Sequence, residues 1–93
     1  MQVPRASLAL ATAPPQPSRA GVLVSIAIPD AAPARLELFD VLGRRLRSRE
    51  VGELGAGDHV TSLAEPGALR PGIYLVRLTR DGRELWIRTA VLH

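Results

Sequence analysis

A chain of 93 residues forms one domain at most, and a domain of that size buries only about 60–65% of the surface its unfolded chain exposes. Hydrophobic residues make up 46% of it but aromatic ones only 3% (Phe39, Tyr74 and Trp86), so the interior must be built mainly from Val, Leu, Ile and Ala. The absence of cysteine excludes a disulfide framework and a thiolate metal site; all 12 basic residues are arginine and the net charge is only +3, so non-specific attraction to phosphate should be weak.

Residues 1–7 read as a linker or disordered N-terminal segment, with the domain proper over 8–93. Arg5 precedes a short apolar stretch, Ala6 to Ala11, that superficially resembles a signal peptide. It is shorter than the roughly 7–15 residues of an h-region and runs directly into Pro14-Pro15-Gln16-Pro17, so it reads as an edge strand. No apolar run approaches the roughly 18 residues that cross a membrane as a helix.

From there the punctuation is dense. Pro29-Asp30, Leu42-Gly43, Gly52 to Asp58, Glu65-Pro66-Gly67, Pro71-Gly72 and Asp81-Gly82 cut the chain into pieces of strand length. About seven antiparallel strands result, and the expected fold is an all-β, immunoglobulin-like sandwich. In Gly21 to Ile28 the residues Val22, Val24, Ile26 and Ile28 alternate with Leu23, Ser25 and Ala27, which puts the β-branched set on one face.

Ala34 to Val51 can be read two ways. As strands, Leu36 and Leu38 face inward opposite Arg35 and Glu37, and the chain turns at Asp40-Val41-Leu42-Gly43. As a helix, Leu36, Phe39, Leu42 and Leu46 form an apolar stripe, but Gly43 then sits mid-helix at a cost of about 1 kcal/mol. The strand reading is preferred because a hairpin gives Gly43 a use. Farther on, Tyr74, Val76 and Leu78 share a face, Arg77 and Thr79 point away, and Asp81-Gly82 closes a C-terminal hairpin over Gly72 to Leu92. On this reading Arg77 is solvated and its removal should cost little.

Residues that often carry chemistry have plain readings here. Gly52-Glu53-Leu54-Gly55-Ala56-Gly57 lacks the glycine order of a dinucleotide fingerprint and the Lys-Ser/Thr of a phosphate loop, so it reads as a connection. His59 and His93 have no second histidine or carboxylate at ligand spacing, and no serine sits in a G-x-S-x-G elbow. Asp30, Asp40, Asp58 and Asp81 lie at turns, where a short carboxylate bonds nearby amides; a loop calcium site among them has no EF-hand spacing behind it. Arg44-Arg45-Leu46-Arg47-Ser48-Arg49 has no interleaved aromatic to stack a base, and reads as a solvated strand face rather than a nucleic-acid surface. No catalytic set, metal or cofactor is expected.

Four stretches, in order and spacing, resemble the type A C-terminal sorting domain of the type IX secretion system: Pro14 to Ser18, Leu36-Glu37-Leu38-Phe39-Asp40-Val41-Leu42-Gly43-Arg44, Gly57-Asp58-His59, and Pro71-Gly72-Ile73-Tyr74-Leu75-Val76-Arg77-Leu78, followed by a last strand carrying the basic Arg88. The resemblance covers about residues 8 to 92, and the Ig-like domain of flagellar hook-capping proteins shares part of the pattern. Gln16 stands where the family usually has Asn, and Arg88 is followed by Thr89 where the family often has a second basic residue.

The resemblance implies a non-catalytic label at the C-terminus of an exported bacterial cargo. Such a label folds in the periplasm, is recognised by translocon proteins of the outer membrane, and ends at the cell surface or outside the cell. It implies recognition through Arg88, Gly72 and Tyr74, with Asp40, Gly43 and Pro71 shaping the motifs. It makes Met1 the start of a fragment or of a mispredicted gene, because a cargo domain should precede it. The alternative is a structural or adhesive Ig-like module that packs on a neighbouring domain or binds a protein partner.

Overall fold

The computed structural model describes residues 8–13, 21–30 and 32–92. The expectations for residues 1–7, for Pro14 to Ser18 and for His93 lie outside these described residues. Among these described residues seven strands follow in chain order: β1 (Ala9–Thr12), β2 (Val22–Ile28), β3 (Ala34–Asp40), β4 (Arg45–Glu50), β5 (Gly57–Ala64), β6 (Gly72–Arg80) and β7 (Arg83–Val91). Every pairing is antiparallel, in a three-stranded sheet of order β1-β2-β5 and a four-stranded sheet of order β4-β3-β6-β7. The chain is an immunoglobulin-like β-sandwich, as its punctuation led us to expect. Ala34 to Val51 is the β3–β4 hairpin and not a helix.

Alternation explains the layering. Val22, Val24, Ile26 and Ile28 of β2 are all buried, as are Leu36 and Leu38 of β3 and Tyr74, Val76 and Leu78 of β6. These inward sets meet between the sheets, together with Val51, Leu63 and Val91. Fully burying each such side chain favours folding by about 1.5–3 kcal/mol, and nearly all of that free energy comes from aliphatic groups. The flanks close where β1 lies beside β7 and β4 beside β5.

The connections use the residues the sequence puts there. In the β3–β4 turn Gly43 adopts a φ of 85°, in the left-handed region that disfavours a side chain, so the glycine is required by the turn and not by packing. The glycine-rich run holds one 3-10 turn (Gly52–Leu54) and carries the chain from one sheet to the other. Asp81, with a φ of 50°, and Gly82 close the β6–β7 hairpin. Among the described residues no helix is long and apolar enough to cross a membrane.

Candidate functional site: the outer face of the four-stranded sheet

The two outer faces of the sandwich differ in kind. On the three-stranded sheet, short side chains oppose one another, Ala9 against Ala27 and Ala11 against Ser25. On the four-stranded sheet, the outward positions hold long, charged and aromatic side chains in cross-strand rows. Phe39, Leu75 and Arg88 form one row; Glu37, Arg77 and Trp86 the next; Arg35, Thr79 and Glu84 the third.

Glu37 is the centre of this face. It lies on the solvent side of the sheet yet is 3% exposed, because other side chains cover it. Arg77 lies over it, donating from Nη2 to Oε1 at 2.6 Å and from Nε to the same oxygen at 3.0 Å. Arg45 donates from Nη1 to Oε2 at 3.2 Å. The Arg77 guanidinium carbon also sits 5.1 Å from the centre of the Phe39 ring and 5.3 Å from that of Trp86, within cation–π range of both. The two rings are 5.5 Å apart and inclined at 38°. Burial acts to raise the Glu37 pKa, but hydrogen bonds from Arg77 and Arg45, and their positive charges, outweigh it and hold the carboxyl below its ordinary value.

This arrangement corrects the expectation that Arg77 is merely solvated. Its side chain is 29% exposed and serves as the lid of a covered carboxylate. Arg77→Ala strips Glu37 of its main partner and bares the facing surfaces of two aromatic rings, so it should lower the melting temperature by several degrees. Arg47→Ala, at an exposed position where the arginine, among the described residues, bonds the Leu46 carbonyl alone, should leave it unchanged in the same scan.

Beside the cluster, Arg35, Glu37, Arg77, Thr79 and Glu84 line an open groove of about 610 Å³ that runs toward the β6–β7 turn. Its walls mix both signs of charge. Trp86 is 49% exposed and Ile73 43%, and Val41 and Leu42 project from the neighbouring β3–β4 turn.

The expected recognition residues separate on inspection. Arg88 is exposed on this outer face, opposite Leu75, with no ion-pair partner among the described residues. Gly72 is exposed at the start of β6, just after Pro71, and pairs with Val91. Tyr74 points the other way: it is 8% exposed, and its hydroxyl donates to the Arg70 carbonyl at 2.6 Å. That is the tyrosine corner of immunoglobulin-like sandwiches, in which a strand-opening Tyr bonds backbone just upstream.

Asp40 organises its turn. Oδ1 accepts the amides of Leu42 and Arg44 at 2.9 and 3.0 Å, and Oδ2 accepts Arg44 Nε at 2.6 Å. The Arg44 amide leads in drawing its pKa below the ordinary carboxylate value, partly opposed by burial and assisted by the Arg44 side chain and the Leu42 amide. Glu37 and Asp40 therefore shift in the same direction. A depressed folded-state pKa contributes stability that is present above the unfolded value, about 4, and is lost as the pH falls through the folded value. Chemical denaturation should show stability level toward neutral pH and falling below about pH 4, and Glu37→Gln with Asp40→Asn should flatten the fall.

The other candidates have local partners. His59 Nε2 donates to the Gly55 carbonyl at 2.8 Å. Asp30 pairs with Arg80 and accepts the Ala32 amide, and no three His, Cys, Asp or Glu residues gather as a metal set among the described residues. The arginines at 44 to 49 do not form one patch: Arg44 binds Asp40, Arg45 turns to the outer face and Glu37, and Arg49 reaches across to the Ser62 carbonyl. Pairing that alternates sides divides them between two faces.

The Glu37–Arg77–Trp86–Phe39 cluster is not legible in the sequence. Its local signal is the outward parity of Glu37 and Phe39 on one strand and of Trp86 and Arg88 on another, which becomes a site only once β6 lies between β3 and β7. Comparison with protein-family models, with curated proteins and with solved structures found no match.

Proposed function

We propose that this chain is a non-catalytic recognition domain, a C-terminal sorting domain of an exported bacterial protein that outer-membrane translocon proteins read. The observation that carries the proposal is Arg88. It is an exposed last-strand cation with no ion pair among the described residues, in a sandwich where the motif residues Asp40, Gly43 and Tyr74 serve the fold. Asp40 and Gly43 build the turn, and Tyr74 ties β6 to Arg70, so the resemblance to sorting domains extends to residues with clear structural work. A guanidinium left in water on a rigid strand suits bidentate recognition of a carboxylate or phosphate group.

Residues 8–93 fused to the C-terminus of a periplasmic reporter, in a host with type IX machinery, should carry the reporter to the cell surface. The same residues fused to the N-terminus should not, because a sorting domain works only as the last domain. Equal behaviour of the two fusions would remove the proposal.

The structural or adhesive module is a second reading, favoured by the half-exposed Trp86 on the outer face. It predicts that the domain works in either position.

A further inference from the structure

We infer that the outer face of the four-stranded sheet is a docking surface for an acidic, apolar segment of a partner protein, with Trp86 as anchor and Arg88 as ion-pair partner. The inference rests on reading the chain as a recognition domain and names the surface and the chemistry it selects.

This face carries Arg35, Arg45, Arg77 and Arg88 against Glu37, Glu50 and Glu84. The acids are already engaged. Glu37 is held by Arg77 and Arg45, Glu50 Oε1 accepts the amides of Ala34 and Gly52, and Glu84 lies 3.5 Å from Arg77. Arg35 and Arg88 are left exposed, with no ion pair among the described residues. What the surface lacks is negative charge, and a partner supplying carboxylates completes it.

The apolar part lies next to Arg88. Trp86 and Arg88 are two residues apart on one strand and so share a face, about 7 Å apart along it. Phe39 and Leu75 lie across the strands in the Arg88 row, with Ile73 beyond. The Trp86 ring is not free to swing, because Phe39 and Arg77 pack against it. A half-exposed aromatic side chain already held in place loses little rotamer freedom on docking, which is the property of an interface anchor. An extended segment with an acid beside an aliphatic or aromatic residue therefore meets Arg88 and Trp86 at once.

Selecting a displayed library of random short peptides on the folded domain tests this, with affinities then read from the fluorescence of Trp86, the chain's single tryptophan. Enriched peptides should carry Asp or Glu next to an apolar residue. Their binding should weaken about tenfold or more in Arg88→Glu, where one charge-assisted pair becomes a repulsion. Arg47→Glu, whose position faces away from this surface, should bind as the parent does, with circular dichroism confirming that both variants fold. No enrichment, enrichment of peptides without acids, equal binding to Arg88→Glu, or self-association that shields Trp86 would overturn the inference. Failed selection alongside successful export of the reporter removes this inference and leaves the sorting reading; peptide binding without export does the reverse.

Discussion

Leu78→Ala should cost about 2–5 kcal/mol, out of about 5–15 kcal/mol of stability expected for a domain, and should leave a large unfolded population at moderate urea. Leu78 is fully buried, with Leu36 directly opposite on β3 and Leu85 on β7, so truncation removes packing from three strands at once. The sheets have few means to close the gap, because the core side chains between them are already packed. Val60→Ala serves as the comparison: Val60 is 67% exposed on an edge strand, and its truncation should change stability by no more than about 0.5 kcal/mol. Urea midpoints at constant m report both. Similar midpoints for the two variants would mean that the inward face of β6 is wrongly assigned.

Much of this architecture is written in short-range pattern. Val22 to Ile28 alternates strictly, Asp81-Gly82 places a tight turn between two alternating runs, and Asp40 to Arg44 holds its own turn with bonds that span at most four residues. Each is a local preference that agrees with the final fold, which is why it is legible.

The outer-face cluster is of another kind. Glu37 alternates with leucines and reads as an ordinary solvated residue, yet it is covered by Arg77, 40 positions away, and Arg77 in turn packs against Phe39 and Trp86. Nothing near Glu37 in the sequence states that β6 will be its neighbour. The same limit applies to the arginines at 44 to 49: their clustering in sequence is plain, but the register of β4 against β3, with its irregularity at Leu38/Phe39, decides which face each takes. Arg88 was legible as a last-strand cation, while its place beside Trp86 on the aromatic face became visible only with the fold.

Recognition and folding separate at Arg88. The guanidinium reaches solvent and has no ion pair among the described residues, so Arg88→Ala should leave the melting temperature of the isolated domain nearly unchanged. The same substitution removes a planar, bidentate donor that a neutral side chain does not replace and a lysine replaces only in part. The direct measurement is the surface-exposed fraction of a periplasmic reporter carrying residues 8–93 at its C-terminus, in a host with type IX machinery, for the parent sequence and for Arg88→Ala. The parent fusion should reach the surface, and the Arg88→Ala fusion, equally folded, should stay largely in the periplasm. Retention of the folded parent fusion would overturn the sorting reading, and equal export of the two would overturn the role of Arg88 in it.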